Sequence, residues 1–299
     1  MKLNEVFYVS IGKHSIRYRL TEILLKMIFG MKVRKHDIED MLKFDPKILE
    51  FHFSDSDLNI KLETNYEQQL IVHCYEYFEQ KIIDMVSLEE TNQIHSQNYS
   101  LSLIQKAIDK TVELGKHFEG KPTIIVHPGG YSLNELPSEK IQKMKDMLVD
   151  AVKQLDISKV NFLLENMPPY CWFYGGRWTS NMFLESDELI KYCKKTNLKI
   201  CFDLCHSQMY CNKQNLSLID ELDEVENFTT HYHLSDAEGD EGEGLQYGEG
   251  DIPFDKIIPI LNKYKNKSFS IEVWKGHQHG GKGFKYFYDK LIENGMVVE

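Results

Sequence analysis

Residues 123–127 read TIIVH, a short apolar run that ends on a histidine. Bounded by polar sequence, it reads as a strand buried on both faces of a parallel sheet. Seven more runs share the character: 6–11 (VFYVSI), 48–53 (ILEFHF), 70–75 (LIVHCY), 160–165 (VNFLLE), 199–204 (KICFDL), 231–235 (HYHLS) and 269–274 (FSIEVW). Helical periods lie between them. Ile104, Ala107, Ile108 and Val112 share one face, with Gly115 as the expected C-cap. Ile141, Met144, Leu148, Val152 and Leu155 repeat the spacing after Pro137-Ser138, and residues 188–195, 216–225, 254–264 and 284–292 add further helices. Eight strands alternating with helices predict an α/β fold, one (β/α)8 TIM barrel over residues 1–299. A doubly wound open sheet is the rival, but no glycine-rich phosphate loop follows the first run. Residues 54–69 leave too little room for a full helix.

Composition supports an ordinary globular chain: 42% hydrophobic, 27% charged, with no linker, low-complexity tract or internal repeat. The net charge of −11 argues against sequence-independent binding of nucleic acid. No apolar run approaches a bilayer span, and the opening MKLNEVFYVSIGKHS lacks the pattern of a signal peptide. Six scattered cysteines show neither a disulfide framework nor a CxxC pair, so they read as reduced thiols of a cytoplasmic protein.

The chemistry-bearing residues sit at or just beyond the ends of the runs: His73, His127, Glu165, Asp203 with His206, His233 and Glu272. In a barrel these ends form one rim, where catalytic groups gather. A single strand histidine is ordinarily a satisfied core or surface residue, and a carboxylate there can simply cap the next helix. Seven such groups on one predicted rim are another matter, because a buried acidic cluster without a cation is costly. Imidazoles and carboxylates without thiolates suit Zn, Mn, Fe, Co or Mg.

At these residues the chain resembles the xylose isomerase-like TIM-barrel superfamily, which holds endonuclease IV and the sugar (phosphate) isomerases and epimerases. The motifs are LIVHCY at His73, IIVHPGG at His127, LLENMP at Glu165, CFDLCH at Asp203 and His206, HLSD at His233, GEGDIPF at 248–254 and IEVW at Glu272. They fall in family order from about the third run onward. The resemblance implies a metal held by Glu165, Asp203, His233 and Glu272, and a second held by Glu165, His73 and His127. It gives His206 either a third metal or a substrate contact. The implied cofactor is one or two divalent ions.

One departure bears on function. The Asp-x-His pair that completes a third metal site in endonuclease IV-like members falls on Gly242 and Gly244, which have no ligand atoms. Asp240, Glu241 and Glu243 lie nearby at the wrong spacing. The expected activity is therefore an isomerase or epimerase of a small carbohydrate-like substrate, moving a proton between Glu165 and Glu272 through an enediolate, with His206 on a substrate oxygen. A phosphodiester hydrolase like endonuclease IV is the runner-up, and a barrel without turnover the third reading. The aromatic loop 168–178 (PPYCWFYGGRW) reads as a lid, pocket wall or packing loop. Arg177 within it, and Trp274 beyond Glu272, are candidate substrate contacts. His231 shares a strand face with His233 and competes for its role. His95 reads as a surface residue of a polar connector, and His277 and His279, in a glycine-rich loop, either line the pocket or, as loop histidines more often do, face solvent.

Overall fold

The computed structural model describes residues 8–11, 14–17, 26–88, 97–264 and 266–299. Eight parallel strands close into a barrel: β1 (Ile28–Val33), β2 (Ile48–His52), β3 (Gln69–His73), β4 (Glu119–Val126), β5 (Asn161–Glu165), β6 (Lys199–Asp203), β7 (Thr229–Leu234) and β8 (Ser268–Ile271). Each pairs with its successor in sequence, and β8 closes on β1 from Ser268↔Ile28 to Ser270↔Gly30. The helices are α1 (Ile38–Leu42), α2 (Gln97–Leu114), α3 (Ser138–Lys153), α4 (Ser186–Thr196), α5 (Leu204–Gln214), α6 (Leu218–Val225), α7 (Phe254–Leu261) and α8 (Gln278–Glu293). Between β2 and β3 there is only a 3-10 turn, Asp55–Asn59, as the short spacing requires.

Seven of the eight expected strands enter the barrel; the first does not. Tyr8–Ile11 instead pairs antiparallel with His14–Arg17 as a separate hairpin, and Val6 and Phe7 lie outside the described residues. The true first strand is IFGMKV, which carries a glycine and a lysine and so lacks a clean apolar signature. Helix α5 was also unforeseen. It is buried nearly all round, through Leu204, Cys205, His206, Ser207, Gln208, Met209 and Cys211, so it has no amphipathic stripe to read. At the end of α2, Gly115 does not act as a left-handed cap. It opens a 3-10 turn, Gly115–His117, where a Cβ would stand 2.7 Å from Pro122 Cγ.

Strand alternation divides the interior in two. Ile48, Ile71, Ile125, Leu163 and Cys201 point inward as a small apolar layer inside the barrel. The opposite faces, such as Leu49, Phe51, Val72, Ile124, Phe162 and Phe202, join the larger core beneath the helices. Two residues further along the inward faces the side chains become Glu50, His73, His127, Glu165, Asp203 and His233. After β4 the chain turns through Pro128-Gly129-Gly130. Gly129 has φ +90°, and a Cβ there would lie 2.2 Å from Asp84 Oδ1. That oxygen accepts from the backbone N–H groups of Gly130 at 3.0 Å and Val86 at 2.9 Å, fixing the turn that follows His127. All six cysteines are buried and unpaired, and among the described residues no helix is long and apolar enough to cross a membrane.

Candidate metal centre

β5, β6 and β7 deliver Glu165, Asp203 and His233 at the C-terminal mouth, and Glu272 follows β8 directly. One ligand atom from each of the four lies within 4.8 Å of those of the other three. His73, at the end of β3, and His127, just past β4, form a second such group with Glu165. Six of the seven rim residues singled out in the sequence therefore converge, and Glu165 belongs to both groups. His206 joins neither.

The hydrogen bonds show what the cluster lacks. Glu50 is a buried carboxylate held well below its ordinary pKa: burial opposes ionisation, but His233 and Lys32 outweigh it. Being ionised, it only accepts, so His233 donates to it from Nε2 at 2.9 Å and His231 from Nε2 at 3.1 Å. That leaves Nδ1 as the position where His233 carries either an added proton or a bound cation. That nitrogen faces three carboxylates: Glu272 Oε2 at 2.7 Å, Glu165 Oε1 at 2.9 Å and Asp203 Oδ2 at 3.9 Å. His73 repeats the arrangement, donating from Nδ1 to the Cys74 carbonyl at 2.9 Å while Nε2 lies 3.1 Å from Glu165 Oε2. Neither ring nitrogen of His127 has a hydrogen-bond partner, and Nε2 lies 3.5 Å from Glu165 Oε2. Acceptors crowd on acceptors, and a positive charge between them resolves the conflict.

The titration behaviour follows from the same crowding. Burial alone would lower the pKa of His233, yet Cys201, Glu165 and Glu50 raise it well above its ordinary value. Glu165 and Glu272 are held low against burial, chiefly by His233 for the first and by Lys32 for the second. Asp203 goes the other way. Burial pushes it up to about 6, with Glu165 and Glu272 adding to the shift and His206 opposing it. Lys32 Nζ pairs with Glu272 and lies 3.3 Å from Glu50; these contacts keep it charged despite its burial. Lys32 alone does not balance three buried carboxylates and the partly buried Glu272; a proton on His233 supplies part of the remainder, and a cation at Nδ1 would take its place.

Asp203 combines two readings that look exclusive in sequence. Oδ1 accepts from the His206 backbone N–H at 2.7 Å and caps α5, while Oδ2 is buried with no hydrogen-bond partner and faces the cluster. Asn166 fixes this corner, accepting from the Asp203 N–H at 2.6 Å and donating to its carbonyl at 3.0 Å. His206 donates from Nδ1 to the Asn166 carbonyl at 2.8 Å, and its Nε2 lies 3.3 Å from Glu243 Oε1. Of the three acidic residues around Gly242, Glu243 is thus the one that reaches His206, whereas Glu241 pairs with Arg177.

Lys32, Glu50 and Asn166 were not foreseen. Glu50 had a signal: it interrupts an apolar run, ILEFHF, at an inward position. Lys32 lies on the strand the sequence reading missed. His231 does not compete with His233; it turns to Glu50 and to Ser268 Oγ, 2.7 Å from its Nδ1.

A cavity of about 630 Å3 opens above the cluster, lined among others by Lys32, His127, His206, Glu272 and Trp274. Glu165 is fully buried behind this lining. The aromatic loop forms a hairpin, Tyr170–Phe173 with Gly176–Ser180, and Cys171, Trp172 and Phe173 wall the cavity. Arg177 stays at the exposed rim on Glu241. His277 lines the cavity, His279 sits in a left-handed kink inside α8, and His95 lies outside the described residues.

The donor set, nitrogen and oxygen with unpartnered buried acceptors at Asp203 and His127, fits a divalent cation. A closed barrel with carboxylates and imidazoles at the strand ends defines a class of enzyme-bearing TIM barrels. The model of the xylose isomerase-like TIM barrel family matches residues 44–290, and the chain belongs to that family. A relative in Methanocaldococcus jannaschii, the uncharacterized protein MJ1311, is 26% identical over 210 residues, 69% of this chain and 63% of that protein, so the match spans less than two thirds of the relative. Solved structures share the fold, among them the following two. A D-tagatose 3-epimerase-like protein has TM-score 0.63 and 20% identity, covering 89% of this chain and 99% of the other. Endonuclease IV from Thermus thermophilus has TM-score 0.60 and 16% identity, covering 89% and 99%.

Proposed function

We propose that this protein is a divalent-metal-dependent isomerase or epimerase of a sugar or similar hydroxy-ketone. The carrying observation is the ring of carboxylates around His233 Nδ1, with Glu272 open to a cavity of small-molecule size. Glu165, Asp203, His233 and Glu272 would hold the cation, with His73 and His127 available for a second. Once bound, Zn, Mn, Co or Mg would supply Lewis-acid polarisation of a carbonyl and its neighbouring hydroxyl.

The protein's own groups carry the rest. Glu272 lies in the cavity and is held ionised by Lys32, so it can take the proton from the hydroxyl-bearing carbon next to the carbonyl, leaving an enediolate. His206 lines the same cavity and hydrogen-bonds a substrate oxygen, its ring steadied by Asn166. Glu165 would return the proton from the inner side. Because it is buried, its turn requires movement of a lining side chain such as His127. Incubation of metal-loaded protein with a ketose panel in deuterated water tests the proposal. Exchange of a carbon-bound proton is the expected result, and its absence with metal bound overturns the reading.

A second reading has one observation in its favour. His73, His127 and Glu165 keep a second ligand group, which suits generation of hydroxide for phosphate-ester hydrolysis. Incision of an abasic-site duplex that disappears in His73→Ala would select it.

A further inference from the structure

The cavity extends past its polar floor to an aromatic entrance. We infer that its outer part is a second ring-binding subsite, so that the preferred substrate is a ketose carrying another sugar ring; this rests on the ketose chemistry proposed above. The cavity of about 630 Å3 lies within the roughly 300–1,000 Å3 of small-molecule sites and leaves room beyond a single hexose. The entrance is aromatic. Of eight exposed large hydrophobic side chains among the described residues, three line this cavity: Tyr77 at 52% exposure, Trp172 at 54% and Trp274 at 65%. A fourth, Tyr174, packs on Tyr77 with ring centroids 5.9 Å apart. They come from the loops after β3, β5 and β8, so the mouth is ringed from several sides.

Trp172 is the best placed of them. It sits on a short hairpin strand whose neighbours, Cys171 and Phe173, are buried, so the strand is anchored while the indole is left exposed. Exposed aromatic faces at a pocket mouth stack on flat apolar ring faces, and sugars present such a face through their C–H groups. A nucleobase would stack as well, but charge selects against a polyanion. The lining carries five carboxylates against three lysine or arginine side chains, in a chain of net charge −11.

Fructose is compared with isomaltulose and lactulose, ketoses that carry a second ring, by proton exchange in deuterated water. Isomaltulose or lactulose should react with kcat/KM roughly tenfold higher than fructose, through KM, as expected for one aromatic stack. Trp172→Ala should remove that advantage while moving the fructose value far less, and Trp172→Phe should restore most of it. Equal reaction of free and glycosylated ketoses, with Trp172→Ala acting alike on both, overturns the subsite. If no ketose exchanges, tryptophan fluorescence titration with the same sugars decides. Tighter disaccharide binding lost in Trp172→Ala keeps the subsite while the isomerase reading falls; equal or absent binding overturns the subsite too. Trp172-dependent binding of an abasic-site duplex in preference to isomaltulose overturns the sugar as its occupant.

Discussion

The barrel interior holds two layers built on the same strands two residues apart. On β5 the lower position is Leu163 and the upper is Glu165; on β2 they are Ile48 and Glu50; on β3, Ile71 and His73. Both layers are almost fully buried. Below, burial stabilises the fold by about 1.5–3 kcal/mol for each large aliphatic side chain. Above, burial of carboxylates and imidazoles works against folding unless charge is balanced. One strand thus carries both the means of holding the barrel closed and the means of binding a cation, separated by a single pleat.

Breaking the upper layer should cost the most activity. Glu272→Gln removes the cavity-facing base and is expected to slow proton exchange by about 100- to 10,000-fold, with the fold intact by circular dichroism. Breaking the lower layer should act on stability instead. Leu163→Ala is expected to lose about 2–5 kcal/mol in urea denaturation, while metal content per folded molecule stays that of the parent. Equal loss of metal in that variant would show that the two layers are not separable.

A third test uses a buried carboxylate outside both layers. Burial pushes Asp84 up to about 6, against the hydrogen bonds from Gly130 and Val86. Its folded pKa exceeds its unfolded value, so the folded state holds the proton more tightly. The associated stability is fully present below about pH 4 and is lost as pH rises through 6, by about 3 kcal/mol. Asp84→Asn keeps an acceptor for the two N–H groups and should remove this component. The difference between parent and variant, followed by urea denaturation from pH 4 to 7, should therefore change across that window. A flat difference would show that burial does not strain Asp84.

The smallest effect sharpens the link between the layers. Glu50→Gln no longer enforces donation by His233 Nε2, and cation affinity should fall about 10- to 100-fold in calorimetric titration. An unchanged affinity would show that His233 needs no partner behind it.

The upper layer was legible because each functional residue closes an apolar run, and a run ending on His or Glu is a local pattern. Metal-competent residues at six strand ends could be found from their own neighbours. Lys32 and Glu50 could not be, because the reason for burying them lies far off in the chain: Lys32 meets Glu50, and then Glu272 on the opposite side of β1. For the same reason β1 went unread. A lysine inside a barrel strand makes sense only beside the carboxylates it balances. Helix α5 was hidden because its first two turns are buried on all sides, which erases the periodic contrast that marks a surface helix.

The Lys32–Glu272 pair spans the seam where β8 closes on β1. During synthesis Lys32 is among the earliest barrel residues to emerge, and Glu272 follows only after seven further strands have been made. Lys32 therefore waits for most of the chain before its second partner exists, a long-range contact of the kind that forms late. The complete four-ligand set waits for the same strand. Until that strand is made the seam cannot close, and only with its closing does the pocket acquire both its charge balance and its full ligand set.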